Sequence, residues 1–373
     1  MKIGIITWFT GPNYGTNLQA IALQWYLRNQ GYYVQIINYE VQDVLIKVNF
    51  IKRIKNKIEH IRMKNVEKKY ADEIKRKNER LINSIKDNCI LTEKIKSEEQ
   101  LIGVCNSFDL LIIGSDQIWN PNWYHKFYYA DYISIKTRRV SYAPSMGVNT
   151  ISSKRKMTIV HGIQKFDKVS VREEKTAELL SSYLEEKPEV VVDPTFLLNQ
   201  REWIKIFPID NRDKKDDYIL SMFLSDNDKH WHAVSEFSLK NKIKNIIIPY
   251  CSKSYFQNGE IKADVGLNEL LNLIRNAKFI LTDSFHITVF SIINKRQFYT
   301  FQRFKENKTT SQNLRVTNLL KTVGLLDRYV EYNSKIIKEK EPIKYSEHML
   351  NLEKEIVKSK HYLNDAINGK ERN

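Results

Sequence analysis

The chain begins with the apolar run Ile3-Gly4-Ile5-Ile6-Thr7-Trp8, which predicts a buried strand. The tight turn Gly11-Pro12-Asn13-Tyr14-Gly15 follows, and the segment after Thr16 is apolar at helical spacing. Gly31 ends that helix, and residues 33–39 form the next predicted strand. The opening is therefore a βαβ unit, whose strands must be parallel and whose crossover is right-handed.

The same alternation continues along the chain and predicts the α/β class. A second block begins after residues 190–194, where Pro194 ends a strand. We predict two Rossmann-like domains facing a cleft, residues 1–192 and 193–345, each with a parallel sheet flanked by helices, and a C-terminal helix within 346–373 that packs back on the first domain. The further predicted strands are 108–113, 139–143, 168–171, 218–223, 244–248, 279–282 and 297–301, and the further predicted helices are 153–164, 173–184, 231–239, 267–276, 286–293, 313–323 and 347–366.

The composition is strongly basic. The 373 residues include 60 Lys and Arg against 44 Asp and Glu, a formal charge of +16. Such a charge suits a phosphorylated small molecule, an anionic membrane or a nucleic acid, and the plainer explanation is the bias of a lysine-rich and isoleucine-rich proteome. We expect no nucleic-acid partner, because the charge is concentrated in one helix without interleaved aromatic residues.

That helix is a predicted basic insertion in the first domain, at about residues 44–88. Residues 47–86 include 14 Lys or Arg against 5 Asp or Glu. We favour a helix packed on the first domain by its isoleucines over peripheral contact with an anionic membrane, which is the alternative. The isoleucines at helical spacing are Ile51, Ile54, Ile58 and Ile61.

The cysteines and the absence of long apolar segments bear on the compartment. Cys89, Cys105 and Cys251 are too few and too scattered for a disulfide framework or a zinc site, so we expect a reducing compartment and no metal. No apolar stretch is long enough to span a bilayer, and the first residues lack a cleavage signal. We expect a cytoplasmic protein, at the inner face of the membrane if the basic helix binds lipid.

Polar residues follow several predicted strands, where ligands of open α/β sheets bind. Asn13 and Gly15 stand at the first strand-to-helix corner, where a helix N-terminus offers N–H groups to an anion. The alternative, weighted equally, is a simple turn with Thr16 capping the helix.

Ser115, Asp116 and Gln117 follow the predicted strand 108–113, and Trp119 comes just after them. Hydrogen-bonding side chains beside an indole suit a sugar, because its hydroxyls need hydrogen bonds and its C–H face stacks on aromatic rings. Asp116 is also a candidate base for a hydroxyl nucleophile. The alternative is an aspartate that only caps a turn.

Arg172 ends the predicted strand 168–171, and its planar guanidinium matches carboxylate and phosphate oxygens. The alternative is an ion pair with Glu173 or Glu174. Because adjacent helical residues do not face each other, we favour ligand binding.

The run Phe279-Ile280-Leu281-Thr282-Asp283-Ser284-Phe285-His286 places a histidine where a strand meets a helix. We predict His286 as the acid/base group and Asp283 and Ser284 as substrate contacts. The alternatives are a structural histidine and a serine that only caps the helix.

Together these motifs resemble the polysaccharide pyruvyl transferase family over about residues 2–328. Any one of them is weak, whereas their order and spacing are fairly specific to the family and much less so to the substrate. The matching pieces are Asn13-Tyr14-Gly15 with Leu18-Gln19-Ala20, Gly114–Asn120, Ser141–Ser145, Val171–Glu173, Val192–Thr195 and Thr282–His286.

The resemblance implies a two-domain fold like that of GT-B glycosyltransferases and transfer of pyruvate from phosphoenolpyruvate to two hydroxyls of a saccharide, free or lipid-linked. The product is a cyclic ketal, made in cell-surface or exopolysaccharide biosynthesis. The family's motif positions imply Arg172 as the anion clamp, His286 as the acid/base and, more weakly, Asp116 and Asn13 as acceptor contacts. No cofactor is implied, since phosphoenolpyruvate is the donor substrate.

Two departures from the family pattern matter, Ser284 in place of an arginine and Ile287 in place of a glycine. Members with a phosphoenolpyruvate site resemble Arg-Leu-His-Gly where this chain has Ser284-Phe285-His286-Ile287. One phosphate-binding arginine is therefore replaced, and Arg303 and Arg315 are the candidates to supply its charge. A nucleotide-sugar glycosyltransferase on the same plan and a non-catalytic glycan-binding protein are the competing functions.

Overall fold

The computed structural model describes residues 1–11, 13–39, 50–132, 134–210, 217–305 and 313–369. Its strands are β1 (Lys2–Ile6), β2 (Tyr33–Ile36), β3 (Leu110–Ile113), β4 (Arg138–Ser141), β5 (Ser170–Val171), β6 (Glu189–Val190), β7 (Tyr218–Met222), β8 (Lys244–Ile247), β9 (Glu260–Ile261), β10 (Phe279–Thr282), β11 (Gln297–Phe301) and β12 (Tyr329–Val330). Its helices are α1 (Tyr14–Asn29), α2 (Phe50–Asn88), α3 (Glu98–Asn106), α4 (Ser153–Ile163), α5 (Glu174–Ser181), α6 (Gln200–Ile206), α7 (Asp228–Asn241), α8 (Leu267–Asn276), α9 (Phe285–Ile293), α10 (Asn313–Thr322) and α11 (Tyr345–Asn368).

The first half of the chain forms a parallel sheet in the order β2-β1-β3-β4. Successive strand residues enter opposite cores: Ile3 and Ile5 belong to one buried cluster, and Ile6 belongs to another. Both faces of the sheet are therefore covered, as a parallel sheet requires. The small parallel pair β5-β6 extends this half.

The second half forms a parallel sheet in the order β12-β11-β10-β7-β8-β9. Its residues alternate in the same way, with Leu220 and Ile280 in a core cluster that also contains residues of the first sheet. The predicted α/β class is confirmed. The predicted domain boundary at residue 193 stays a prediction, and Phe196, just beyond it, packs in the cluster that contains α1 residues.

Several predicted ends shift by a few residues. Strand β1 ends at Ile6 and not at Trp8. Helix α1 begins at Tyr14 because Asn13 is its N-cap, and the Asn13 side chain accepts hydrogen bonds from the N–H groups of Gly15 and Thr16. The predicted capping role of Thr16 is therefore wrong.

We predicted that the basic helix α2 packs on the first half. It also contacts the second half. Its residue Val66 is buried with Tyr255 and Ala263 of the second half, whereas Leu81 packs in the core near α1. Ile61 is 54% exposed. The side chains of the other predicted contacts, Ile51, Ile54 and Ile58, and the predicted insertion residues 44–49 lie outside the described residues.

The C-terminal helix α11 contacts the first half. Tyr362 donates to the carbonyl of Ser141 at 2.9 Å, and the Val192 N–H donates to the Ser359 hydroxyl at 2.9 Å. Within the described ranges, no helix combines the length and the apolar character needed to cross a membrane.

Candidate active site

A cavity of about 210 Å³ lies between the two halves, where strands of both sheets end. The segments after β1 and β3 supply its wall in the first half, and the segment after β10 and helix α10 supply its wall in the second half. Ligands of α/β folds bind in such crevices. The polar and aromatic residues that line it include Trp8, Asn13, Gly15, Asp116, Gln117, Trp123, Asp283, Ser284, His286, Arg303 and Arg315.

A buried carboxylate joins the two predicted key residues. The Oδ2 atom of Asp193 lies 2.7 Å from Arg172 Nη2 and 3.5 Å from His286 Nε2. Its Oδ1 atom accepts hydrogen bonds from the Thr195 N–H at 3.0 Å and hydroxyl at 2.6 Å. Burial alone would raise the pKa of Asp193, but Arg172, His286 and Thr195 together hold that pKa well below its usual range. Asp193 therefore stays anionic, and its carboxylate contacts both Arg172 and His286.

Asp193 is the site residue that the sequence analysis missed. It was quoted only within the motif Val192–Thr195 and before Pro194, which ends a strand, and no role was predicted for it. The predicted alternative for Arg172, a pair with a following glutamate, is wrong: Glu173 accepts from Thr176, and Glu174 pairs with Lys187.

Arg172 is buried, and its surroundings fix the guanidinium. Its Nη2 atom also donates to the Ser115 hydroxyl, which in turn donates to the carbonyl of Ala143 at 2.8 Å. Ser115 is fully buried and does not line the cavity. The structure thus places the predicted substrate contact Ser115 as a support for Arg172.

His286 lies directly against the start of α1. A Cβ atom added at Gly15 would stand 2.0 Å from His286 Nδ1 and 2.5 Å from its Cγ. Only glycine leaves room for the imidazole at this position. Because Nε2 faces Asp193 and Nδ1 faces Gly15, the ring is held between the two halves of the molecule.

Arginines gather around Phe285. The guanidinium carbons of Arg172 and Arg315 lie 5.3 Å and 5.5 Å from the centre of its ring. Burial lowers the pKa of Arg315 to about 10; the charges of Arg172 and Arg303 act in the same direction, and those of Glu173 and Asp116 act against it. Arg303 and Arg315 line the cavity, where an anionic ligand would meet their charge, whereas Arg172 pairs with Asp193 and lines an adjoining cavity.

The remaining second-half candidates have defined partners. Asp283 accepts from the Leu224 N–H at 2.6 Å and from the Ser225 hydroxyl at 2.5 Å. Burial raises the pKa of Asp283, although Arg303 and these hydrogen bonds lower it in part. Ser284 is the N-cap of α9 and also lines the cavity, so capping does not exclude ligand contact.

The first-half candidates Asp116, Gln117 and Asn13 all line the cavity. Asp116 has a left-handed backbone with φ of 67°, a conformation that aspartate tolerates better than most residues. Its Oδ2 atom accepts from the Thr16 hydroxyl at 2.7 Å, and its Oδ1 atom accepts from the Gln117 N–H at 2.9 Å. The carboxylate is thereby fixed at the cavity wall.

Trp119, the predicted aromatic contact for a sugar, does not line the cavity. Trp119 is fully buried, stacks on Tyr129 and donates its indole N–H to the Tyr128 carbonyl. Trp8 and Trp123 line the cavity in its place. In the described part of the chain, no cluster of three His, Cys, Asp or Glu side chains is arranged to hold a metal ion.

Comparison with known proteins identifies the family. The sequence model of the family described as "Polysaccharide pyruvyl transferase" matches residues 13–303, most of the chain. The chain belongs to the polysaccharide pyruvyl transferase family. The matched region of this pyruvyl transferase family member contains Asp116, Arg172, Asp193 and His286, and the resemblance seen in the motifs is confirmed. No curated protein matches the sequence significantly.

Solved structures show the same architecture. The UDP-GlcNAc 2-epimerase from Methanocaldococcus jannaschii is 14% identical, covers 100% of this chain and 94% of its own, and has a TM-score of 0.52. The S. aureus MnaA protein, solved with UDP, is 12% identical, covers 100% of this chain and 99% of its own, and has a TM-score of 0.50. At such identities the likeness is one of fold, and it confirms the GT-B-like fold class of this pyruvyl transferase family member.

Proposed function

We propose that this family member transfers pyruvate from phosphoenolpyruvate to two hydroxyls of a saccharide and forms a cyclic ketal. The observation that supports this most is the Arg172–Asp193–His286 network, which stands beside the further cations Arg303 and Arg315. The network joins an anion-binding group to a proton-transfer group through one buried carboxylate. Pyruvyl transfer needs both.

The cations suit a donor that carries a carboxylate and a phosphate. Arginine binds both groups through paired N–H donors, which makes such contacts directional as well as strong. Arg315 and Arg303 line the cavity on the second half, beside the position where Ser284 replaces the family's arginine. We propose that they supply the charge missing at Ser284.

The chemistry needs one proton donor and one proton acceptor. His286 would give a proton to C3 of the donor, which turns the methylene into a methyl group and makes C2 electrophilic. The first acceptor hydroxyl then adds to C2 and loses its proton, and Asp116 is the candidate base. The second hydroxyl adds as the bond from C2 to the phosphate oxygen breaks. Of the two hydroxyl protons released, one replaces the proton given to C3 and one leaves with phosphate.

We further propose that the acceptor belongs to a cell-surface polymer or exopolysaccharide, free or lipid-linked, and that the enzyme works in the cytoplasm, near the inner face of the membrane. The basic helix α2 supports a membrane-proximal position through its charge. No cofactor enters this scheme, because the donor itself contains the activated bond.

Calorimetry with phosphoenolpyruvate tests the proposal. The variant is Arg315→Met, and Arg201→Met, an exposed position on α6, is the control with the same loss of charge. A charge-assisted hydrogen bond contributes about 1.5 to 3 kcal/mol, so we expect affinity to fall about 10- to 100-fold in Arg315→Met and to stay unchanged in Arg201→Met. The proposal fails if millimolar phosphoenolpyruvate does not bind while a nucleotide sugar does, since that result favours the glycosyltransferase alternative.

A further inference from the structure

Trp8 and Trp123 form an aromatic corner in the cleft. Their ring centres are 5.7 Å apart, and their planes meet at 46°. Both side chains are partly exposed and line the same cavity as Asp116 and His286. Large aromatic side chains left open to solvent in a cleft are unusual enough to indicate a ligand surface.

The other tryptophans do not share this position, and all six of the chain lie in the described part. Trp119, Trp203 and Trp231 are buried in the cores, and Trp25 packs against the core from its edge. None of these four lines the cavity. The exposure of Trp8 and Trp123 is therefore a property of the cleft.

Hydrogen bonds to the backbone and a ring contact position the aromatic corner. The carbonyl of Trp8 accepts a hydrogen bond from Gln19 Nε2 at 2.7 Å, and the Tyr128 ring packs edge-on against the Trp8 ring at 6.1 Å. The backbone N–H of Trp123 donates to the backbone carbonyl of Asn120, and Asn120 is the N-cap of the short helical turn Pro121–Trp123. A preorganised surface loses little conformational entropy when a ligand binds.

We propose that Trp8 and Trp123 bind the acceptor as a neutral pyranose. The C–H face of the sugar stacks on one indole, and its edge rests against the other, because planes at 46° cannot both stack on one flat ring. Asp116 and Gln117, on the same wall, form hydrogen bonds with the hydroxyls of the sugar. This assignment rests on the proposed function, and it separates the cleft into a cationic donor wall and an aromatic acceptor wall.

Charge favours a sugar over the stacking alternative, a nucleobase. A nucleobase stacked here would lie on the wall that holds the Asp116 carboxylate, whereas Arg303 and Arg315, the arginines that line the cavity, belong to the second half. A neutral sugar is not repelled by that carboxylate, and its hydroxyls can donate to it.

Saturation-transfer NMR with a panel of methyl glycopyranosides of different configuration, and with uridine, tests the assignment. We expect at least one glycoside to bind, Trp8→Leu to weaken that binding at least tenfold, and Trp8→Phe to keep most of it. The matched control Trp25→Leu should leave binding unchanged. If Trp8→Leu does not fold, Trp123→Leu takes its place.

The assignment is overturned if no glycoside binds, if uridine binds and no glycoside does, or if Trp8→Leu and Trp123→Leu both bind glycosides as the wild type does. Phosphoenolpyruvate affinity, measured on the same samples, separates this result from the proposed function. Loss of glycoside binding in the tryptophan variants, with unchanged phosphoenolpyruvate binding, supports the aromatic corner as the sugar site. If the wild type binds a glycoside but no phosphoenolpyruvate, the sugar site is still supported and the proposed pyruvyl transfer is refuted.

Discussion

Gly15→Ala displaces the candidate acid/base group without removing it. The new Cβ would lie 2.0 Å from His286 Nδ1. Unstrained contact needs about 3.5 Å, so the imidazole or the start of α1 must move by about 1.5 Å. A misplacement of about 1 Å can reduce turnover about 100-fold. We therefore expect kcat/KM to fall about 100-fold, which corresponds to about 2.7 kcal/mol of lost transition-state stabilisation.

The assay is phosphate release from phosphoenolpyruvate with the glycoside that binds best, and thermal unfolding is measured in parallel. Gly103→Ala is the control, because nothing lies within 4 Å of a Cβ at that position in α3. It should raise the free energy of unfolding by about 1 kcal/mol and leave turnover unchanged.

A double variant distinguishes a clash with the imidazole from a general effect on α1. In Gly15→Ala with His286→Ala, the ring is gone and the added Cβ has room, so stability should recover while activity does not. Wild-type kcat/KM in a folded Gly15→Ala protein would refute the reasoning, as would a double variant no more stable than the single one.

Two further predictions concern buried titratable groups. Asp193→Asn leaves Arg172 without its buried counter-charge, and we expect the free energy of unfolding at pH 7 to fall by about 3 kcal/mol. Because the folded pKa of Asp193 is depressed, its contribution to the free energy of unfolding is present above the unfolded pKa of about 4 and is lost as pH falls below it. Urea unfolding at pH 7 and pH 3 should therefore show the difference in free energy of unfolding between variant and wild type shrinking at the lower pH. Equal stability of the two proteins at pH 7 would contradict the assignment. Burial lowers the pKa of His230 to about 4, so the wild type should lose up to about 3 kcal/mol between pH 6.5 and pH 4 as the unfolded chain takes up the proton. His230→Phe, which fits the aromatic cluster of Phe223 and Phe301, should lack that loss, and identical pH profiles for the two proteins would count against it.

The regular elements followed from local patterns. Strands β10 and β11 and helix α8 have the bounds that the apolar periodicity predicted. Helices α3 and α6 were not predicted at all, and one error lies where a residue past a strand end lines the cleft: Trp8 continues the apolar pattern of β1 but lies beyond the strand. Periodicity reports burial, and a cleft residue can be as apolar as a core residue.

The candidate site was only partly predictable for a related reason. Asp116, Arg172 and His286 each stand at a strand-to-helix corner, where sequence pattern and family motif agree. Asp193, which links Arg172 to His286, lies in a separate segment that no local pattern connects to them. Likewise, nothing local distinguished Trp119 from Trp123, because the turn after β3 has no regular period.

The sequence by itself determined the α/β alternation, the parallel strands and the family, because these depend on short-range periodicity and on motifs that can be read in order. Only the tertiary structure decided that Asp193 joins Arg172 to His286, that Gly15 makes room for the imidazole, and that α2 reaches the second half. Those contacts join segments far apart in the chain. Their formation depends on how the two sheets pack together, and local sequence does not encode that packing.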